Sequence, residues 1–281
     1  MDLRDDELTD AVVASFASSG SERYKEVMSA LVRHLHAFAR EVDLTEDEYF
    51  TAIDFLTRTG QISTGTRQEF VLLADVLGLS MLTVGLGNRK PVEATQSTVF
   101  GPFFVEGSPE VELGDDISNG APGQPCLVSG RVLNTKGEPI AGALVETWQA
   151  DEDGFYDVQK DLDRPQNRAH LTTDAEGNYR FWAVKPVAYP IPDDGPVGEL
   201  LRAAGRGPMR PAHIHFMVTA PGYARLITHV FASGDEYLDT DAVFGVKQSL
   251  IADFTEHEED GKTFYRVDYD LVLATTEETR Q

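Results

Sequence analysis

The period of the apolar residues changes once along this chain, near Lys90, and that change asks for a fold in two parts. Before it, Tyr24, Val27, Met28, Leu31, Leu35, Phe38 and Val42 recur at three- and four-residue spacing, one face of a helix. Thr45 with Glu48, and Thr66 with Glu69, each read as a capping box, in which side chains satisfy the orphan amides of a helix start. Gly60 and Gly78 read as stops. After Lys90, Pro91, Pro102, Pro109, Pro122 and Pro125 end the helical pattern, and from Cys126 the signals are those of strands.

Leu127 to Leu133 and Ala143 to Gln149 read as strands joined through the turn Asn134-Thr135-Lys136-Gly137. The turn Asp174 to Asn178 leads into Tyr179 to Val184, and further strands are expected at Ile214 to Thr219, Leu226 to Phe231 and Phe264 to Leu273. In the last, Tyr265, Val267, Tyr269 and Leu271 alternate with Arg266, Asp268 and Asp270, one dry face and one wet. Short strands without long helices between them build a sandwich. The expected fold is mainly β with a helical N-terminal part: an antiparallel β-sandwich domain over residues 101–281 preceded by a helical domain over residues 1–100. Lys185 to Met209, with five prolines, is a long connection holding one short helix from Val197 to Gly205.

Asp and Glu number 47 against 24 Lys and Arg, a formal net charge of −23, which repels phosphate backbones and anionic headgroups and argues against nucleic acid as a partner. The single cysteine, Cys126, cannot form an intrachain disulfide, fits a reducing compartment, and beside Leu127 and Val128 reads as a small buried hydrophobe. Met1 to Glu7 lacks the pattern of a signal peptide. The longest apolar region, Val71 to Leu86, is interrupted by Asp75, Ser80 and Thr83 and falls short of the ~20 residues a span requires. The expectation is a soluble cytoplasmic protein.

The chemistry is expected at Arg210-Pro211-Ala212-His213-Ile214-His215-Phe216. On a strand, His213 and His215 point the same way from a rigid edge, the geometry of a metal clamp. His34 and His36, two apart on a helix, diverge and read as polar-face residues. A cupin-like site expects a carboxylate soon after the pair, where Val218 and Thr219 stand. His257 with Glu259 has half of a two-His-one-carboxylate triad, but no histidine follows, and its charged run reads as a solvated turn. Tyrosine phenolate is the remaining anionic oxygen, and Tyr156 and Tyr189 lie on loops beside the strands expected to flank the pair. A phenol with pKa near 10 ionises at neutral pH beside a strong Lewis acid, for which ferric iron is the hard metal. Each tyrosine alone reads as a packing residue; the combination carries the signal. Thr98 to Val105, interrupted by Pro102, is a loop laid over a pocket or plugging a core.

Asp153-Gly-Phe-Tyr156, Arg168 to Asp174, Gly177 to Phe181, Tyr189-Pro-Ile-Pro192 and Arg210-Pro-Ala-His213-Ile-His215 together resemble the intradiol ring-cleaving dioxygenases. Thr98 to Phe103 and the Tyr-Pro-Ile-Pro stretch resemble the hydroxyquinol 1,2-dioxygenase branch more than the catechol branch. The resemblance implies non-haem Fe(III), one per subunit, on Tyr156, Tyr189, His213 and His215. It implies a catecholic diol and O2 as substrates, with Tyr189 leaving the metal as it takes up a diol proton, Arg210 stabilising negative charge on the ring, and a muconate-type product. It implies a pocket of Leu72, Asp75, Val99, Phe100, Gly101, Pro102, Phe103 and Ile191, with His229 as a further contact; Asp75 would accept a hydrogen bond from a third ring hydroxyl. It also implies a homodimer through the helical part, where some relatives hold a phospholipid. Gly130 to Ala143 with Thr173 to Phe181 also resembles transthyretin-like binding sandwiches, which lack the tyrosines and the His-x-His.

Overall fold

The computed structural model describes residues 5–65 and 67–279, which divide into two compact units, Met1–Arg58 and Thr59–Gln281. The first holds α1 (Asp5–Ala14), α2 (Glu22–Glu41) and most of α3 (Glu46–Ile62). Ser21 caps α2 by accepting from Tyr24 N. Thr45 and Glu48 form the expected reciprocal box, Thr45 N donating to Glu48 Oε2 at 2.9 Å and Glu48 N to Thr45 Oγ1 at 3.3 Å. His34 stays exposed, and His36 meets Thr9 of α1 at 2.9 Å. The apolar stripe of α2 lies in solvent: Tyr24, Val27, Leu31, Leu35, Phe38 and Val42 are each 44–55% exposed.

In the second unit, α4 (Glu69–Val76) and α5 (Leu79–Gly87) meet at Gly78, the expected stop. The pair carries enough apolar sequence for a span but bends by 79°; among the described residues no single helix is long and apolar enough to cross a membrane. Gly60 is not a stop. It lies inside α3, where its bare Cα admits the Phe70 ring, a Cβ there standing 3.6 Å from Phe70 Cε2. A lone helical glycine costs only about 1 kcal/mol against alanine. Thr66 of the second expected box lies outside the described residues; Glu69 instead accepts from Val197 N and pairs with Arg67.

The strands are β1 (Pro125–Asn134), β2 (Leu144–Trp148), β3 (Arg168–Thr172), β4 (Asn178–Val184), β5 (Tyr189–Pro190), β6 (Met209–Arg210), β7 (His213–Thr219), β8 (Leu226–Ala232), β9 (Ile251–Ala252), β10 (Thr255–Glu259), β11 (Lys262–Asp268) and β12 (Leu271–Leu273), with α6 (Pro196–Ala203) between β5 and β6. β3-β2-β7-β8-β9 form one sheet; the other is built on β1, flanked by β4, β11 and β12. The turns fold as expected, Asn134 and Asp174 each accepting two backbone amides of their own turn.

The sandwich is mixed rather than antiparallel: β11 and β12 pair parallel with β1, and β9 parallel with β8. Parallel neighbours need a long crossover, and all five strands of the β3-β2-β7-β8-β9 sheet lie between β1 and β11 along the chain. The expected strand Phe264 to Leu273 is two strands, because Asp270 Oδ1 takes the Arg131 amide at 2.8 Å and interrupts the ladder; the wet and dry faces alternate as expected. His257 is solvated but lies on β10, its ring stacked on Phe264, and the turn follows at Asp260-Gly261.

Ile214, Phe216 and Val218 of β7 face the core between the sheets with Cys126, Val128, Val145, Phe181, Val230 and Val267. Burial pushes the Cys126 thiol up to about 12. Since the thiolate is the reactive form, native protein is expected to resist alkylation at Cys126 until denatured, and rapid native labelling by iodoacetamide would contradict that burial.

Candidate metal centre

With Ile214 and Phe216 turned into the core, His213 and His215 must face the other side of the sheet. Register then builds a row across three strands: Trp148 of β2 pairs with His215, and His215 with His229 of β8. The Trp148 and His215 rings stack at 4.8 Å, and those of His215 and His229 meet at 4.2 Å.

Two loops close over this face. The first brings Tyr156, fully buried and stacked on Phe103 at 4.4 Å. Asp151 Oδ1 accepts from Asp153 N and Phe155 N to turn the loop, and Gly154 at φ +81° lets it approach Tyr189, whose Cβ would lie 2.8 Å from a side chain there. Arg168 donates to Asp157 through Nε and Nη2 and to Phe103 O at 2.8 Å, tying the Tyr156 loop to the Phe103 segment. The second tyrosine, Tyr189, is fixed by the two-residue ladder of β5 with β6, which sets it opposite Arg210.

Four donor atoms converge. Tyr156 Oη lies 2.8 Å from His215 Nε2 and 3.0 Å from Tyr189 Oη; His213 Nε2 lies 3.2 Å from His215 Nε2 and 3.5 Å from Tyr189 Oη. Donors about 2 Å from a shared centre stand roughly 3–3.5 Å apart, so this set fits a single metal ion. His213 Nδ1 donates to Pro211 O at 2.7 Å, which leaves the Nε2 lone pair facing the cluster. Burial, with Arg210 behind it, lowers His213 to about 3 and holds His215 well below the usual imidazole range, so both rings are neutral. Burial and the neighbouring Tyr189 hold the Tyr156 phenol far above its ordinary value; burial also raises Tyr189, against the pull of Arg210. Two neutral imidazoles and two phenols that ionise only where a cation replaces the proton suit a hard, strongly Lewis-acidic metal.

Arg210 Nε donates to Asp241 Oδ1 at 3.1 Å and Nη1 to His213 Nε2 at 3.2 Å. His229 Nδ1 meets Thr98 Oγ1 at 2.6 Å, and its buried Nε2 has no partner among the described residues; its donor lies within 4.8 Å of those of His213 and His215. The Thr98 to Val105 loop lies over the site, and Gly101, at φ +79°, allows the approach, since a Cβ would stand 3.1 Å from His215 Cε1. Val99, Phe100, Gly101 and Pro102 line an open pocket of about 440 Å³ with Asp75, whose carboxyl burial raises against its Ser80 hydrogen bond. Leu72 and Phe103 line the adjoining cleft, and Ile191 packs with Leu72 and Val99. Sequence reasoning missed Asp241, the Thr98–His229 contact and the Asp157–Arg168 pairing, none of which carries a spacing signal.

This sandwich gathers two phenols and three imidazoles at one sheet face, a donor set that could hold a metal ion. Residues 99–275 match the family model described as Dioxygenase, and residues 21–95 match Catechol dioxygenase N terminus. The chain is 57% identical over 270 residues to a 6-chlorohydroxyquinol 1,2-dioxygenase of Cupriavidus pinatubonensis, covering 96% of this chain and 97% of that one. It is 53% identical over 280 residues to a hydroxyquinol 1,2-dioxygenase of Nocardioides simplex, covering 96% of each. A hydroxyquinol 1,2-dioxygenase structure from Pseudomonas putida DLL-E4 superposes with a TM-score of 0.91 at 45% identity, covering 96% of this chain and 98% of that one. The catechol 1,2-dioxygenase of Pseudomonas arvilla C-1 superposes at 0.83 with 28% identity, covering 98% and 93%. The chain belongs to the intradiol ring-cleavage dioxygenases, close to the hydroxyquinol 1,2-dioxygenases.

Proposed function

We propose that the protein opens the ring of hydroxyquinol, 1,2,4-trihydroxybenzene, between its two adjacent hydroxyl-bearing carbons, taking both atoms of O2 into a maleylacetate-type product. The observation that carries this reading is the convergence of Tyr156, Tyr189, His213 and His215 donors in a buried centre beside a pocket holding Asp75. These four side chains would hold Fe(III), which when bound supplies the Lewis acidity that ionises phenols and a diol and makes the ring reactive toward O2.

The chain's own groups do the rest. In the loaded site Tyr189, held as phenolate beside the Arg210 guanidinium, would accept one diol proton at Oη and become a neutral phenol. Arg210 keeps a permanent cation where carbanion character develops, fixed by Asp241 so that it need not reorganise. Phe100, Gly101 and Pro102 give the pocket a largely apolar wall for the substrate ring. Asp75 accepts a hydrogen bond from the third hydroxyl, which a catechol lacks; a site built to pair a substrate hydroxyl disfavours the analogue without it.

On iron-replete protein, an oxygen electrode is expected to record faster turnover of hydroxyquinol than of catechol or chlorocatechols. Asp75→Leu is expected to cut that preference about tenfold or more. The reverse order of rates would assign the protein to catechol cleavage, and an unchanged ratio in Asp75→Leu would take Asp75 out of the site.

We further infer a homodimer through the helical residues 1–100, with 101–281 as the catalytic domain. The exposed apolar stripe of α2 supports it, and such a face could also receive a phospholipid tail. One buried cysteine and the absence of disulfides support a cytoplasmic setting.

A further inference from the structure

We propose that Arg206 and Phe244 form a latch that holds the Asp241 loop, and through it Arg210, in its working position; this rests on reading Arg210 as the cation of the site. Phe244 has φ +57°, a left-handed backbone that a bulky residue adopts only as an outlier. Burial does not explain the residue, because its ring is 53% exposed. Strain of this kind persists where the surroundings over-determine it.

Those surroundings are specific. The Arg206 guanidinium carbon sits 4.6 Å over the Phe244 ring, its Nη2 donates to Ala242 O at 2.9 Å, and its Nη1 donates to Val76 O at 2.6 Å. One edge of the ring lies near Gly78, where a Cβ would stand 3.6 Å from Phe244 Cδ2. One arginine therefore staples the loop to the end of α4, one residue past Asp75. The turn made at Phe244, whose amide donates to Asp241 O at 3.1 Å, brings two further amides onto the Asp241 carboxylate: Val243 N to Oδ1 at 3.3 Å and Gly245 N to Oδ2 at 2.8 Å. That carboxylate accepts Arg210 Nε at 3.1 Å. A glycine at 244 would relieve the strain but remove the platform on which Arg206 rests. The aromatic ring serves the guanidinium above it, and Arg206 acts as a positioning residue for Arg210.

The test uses Arg206→Met, Phe244→Gly and Asp241→Asn, read in two ways. In iron-free, nitrogen-15-labelled protein, hydrogen exchange of the Arg210 Nε proton is expected to quicken about tenfold in Arg206→Met and in Phe244→Gly as the loop opens more often. In iron-loaded protein both variants are expected to keep the visible tyrosinate absorption while kcat falls about tenfold with KM for the diol little changed. In the Asp241→Asn background, Arg206→Met should then cost nothing more. Unchanged Arg210 exchange, or kinetic losses that simply add, would overturn the latch. Wild-type protein that cleaves no diol would sink the proposed function instead, and the exchange measurement would still decide the latch.

Discussion

Tyr156→Phe is expected to lose both iron and turnover, whereas Tyr189→Phe separates the two. Tyr156 is fully buried beneath Phe103, and its oxygen lies 2.8 Å from His215 Nε2. Its phenol is held protonated by burial and by Tyr189, so the ionised form exists only with a cation in the proton's place. Removing that oxygen leaves Tyr189 as the one anionic donor of the four, and Tyr189 is the donor assigned the diol proton, so no permanently anionic oxygen remains for a metal that prefers one. The expected result is less than stoichiometric iron, no visible tyrosinate-to-iron absorption and kcat/KM reduced about a thousandfold, roughly 4 kcal/mol of transition-state stabilisation. Tyr189 faces Arg210 across β5 and β6 and is assigned the diol proton. Tyr189→Phe is therefore expected to keep iron and the Tyr156 absorption while kcat falls about a hundredfold or more, the usual scale for a lost proton acceptor. Iron content, the visible spectrum and oxygen uptake on the same preparations decide it. Full iron and colour in Tyr156→Phe would remove that residue from the centre.

The parts legible in the sequence are those fixed by local periodicity. A period of two puts His213 and His215 on one face and Ile214 and Phe216 on the other, with no knowledge of what lies across the sheet. The α2 stripe and the Thr45–Glu48 box are equally local. Tyr156 and Tyr189 sit on loops, where no period applies, and only their combination with the histidines in a family-like order marks them. The parallel partner of Cys126 is Tyr265, so distant along the chain that nothing near either residue announces the pairing. Asp241 and Asp157 were illegible for another reason. In an acidic chain an aspartate outside any motif reads as solvated, and only the structure shows that these two are buried against Arg210 and Arg168. Gly60 misled because a helix tolerates a glycine where a ring must pack close.

The Arg168–Asp157 pair should make the second unit strongly sensitive to a single charge. Both side chains are nearly sealed from solvent, the Nη2–Oδ1 contact is 2.6 Å, and the same Nη2 reaches Phe103 O. Arg168→Met strands the Asp157 carboxylate in a dry site, and breaking a buried pair this way costs about 3–5 kcal/mol. For a unit of this size each kcal/mol is worth roughly 2–4 °C, so a fall in Tm of about 10 °C is expected in iron-free protein, where metal linkage does not mask it. The double variant Arg168→Met with Asp157→Asn removes the stranded charge and is expected to recover much of that loss. In iron-loaded protein, however, both the single and the double variant are expected to show a tyrosinate absorption shifted from wild type, because the tie from the Tyr156 loop to Phe103 O is missing in each. Recovery of both together would make the pair a stability element alone, and a Tm within 2 °C of wild type in Arg168→Met, well under the ~10 °C expected, would show that water reaches Asp157. The distinction matters for the centre, since Asp157 follows Tyr156 directly and Phe103 stacks on its ring. A charge pair used only for stability could be placed anywhere in the sandwich; this one joins the two segments that hold a single phenol.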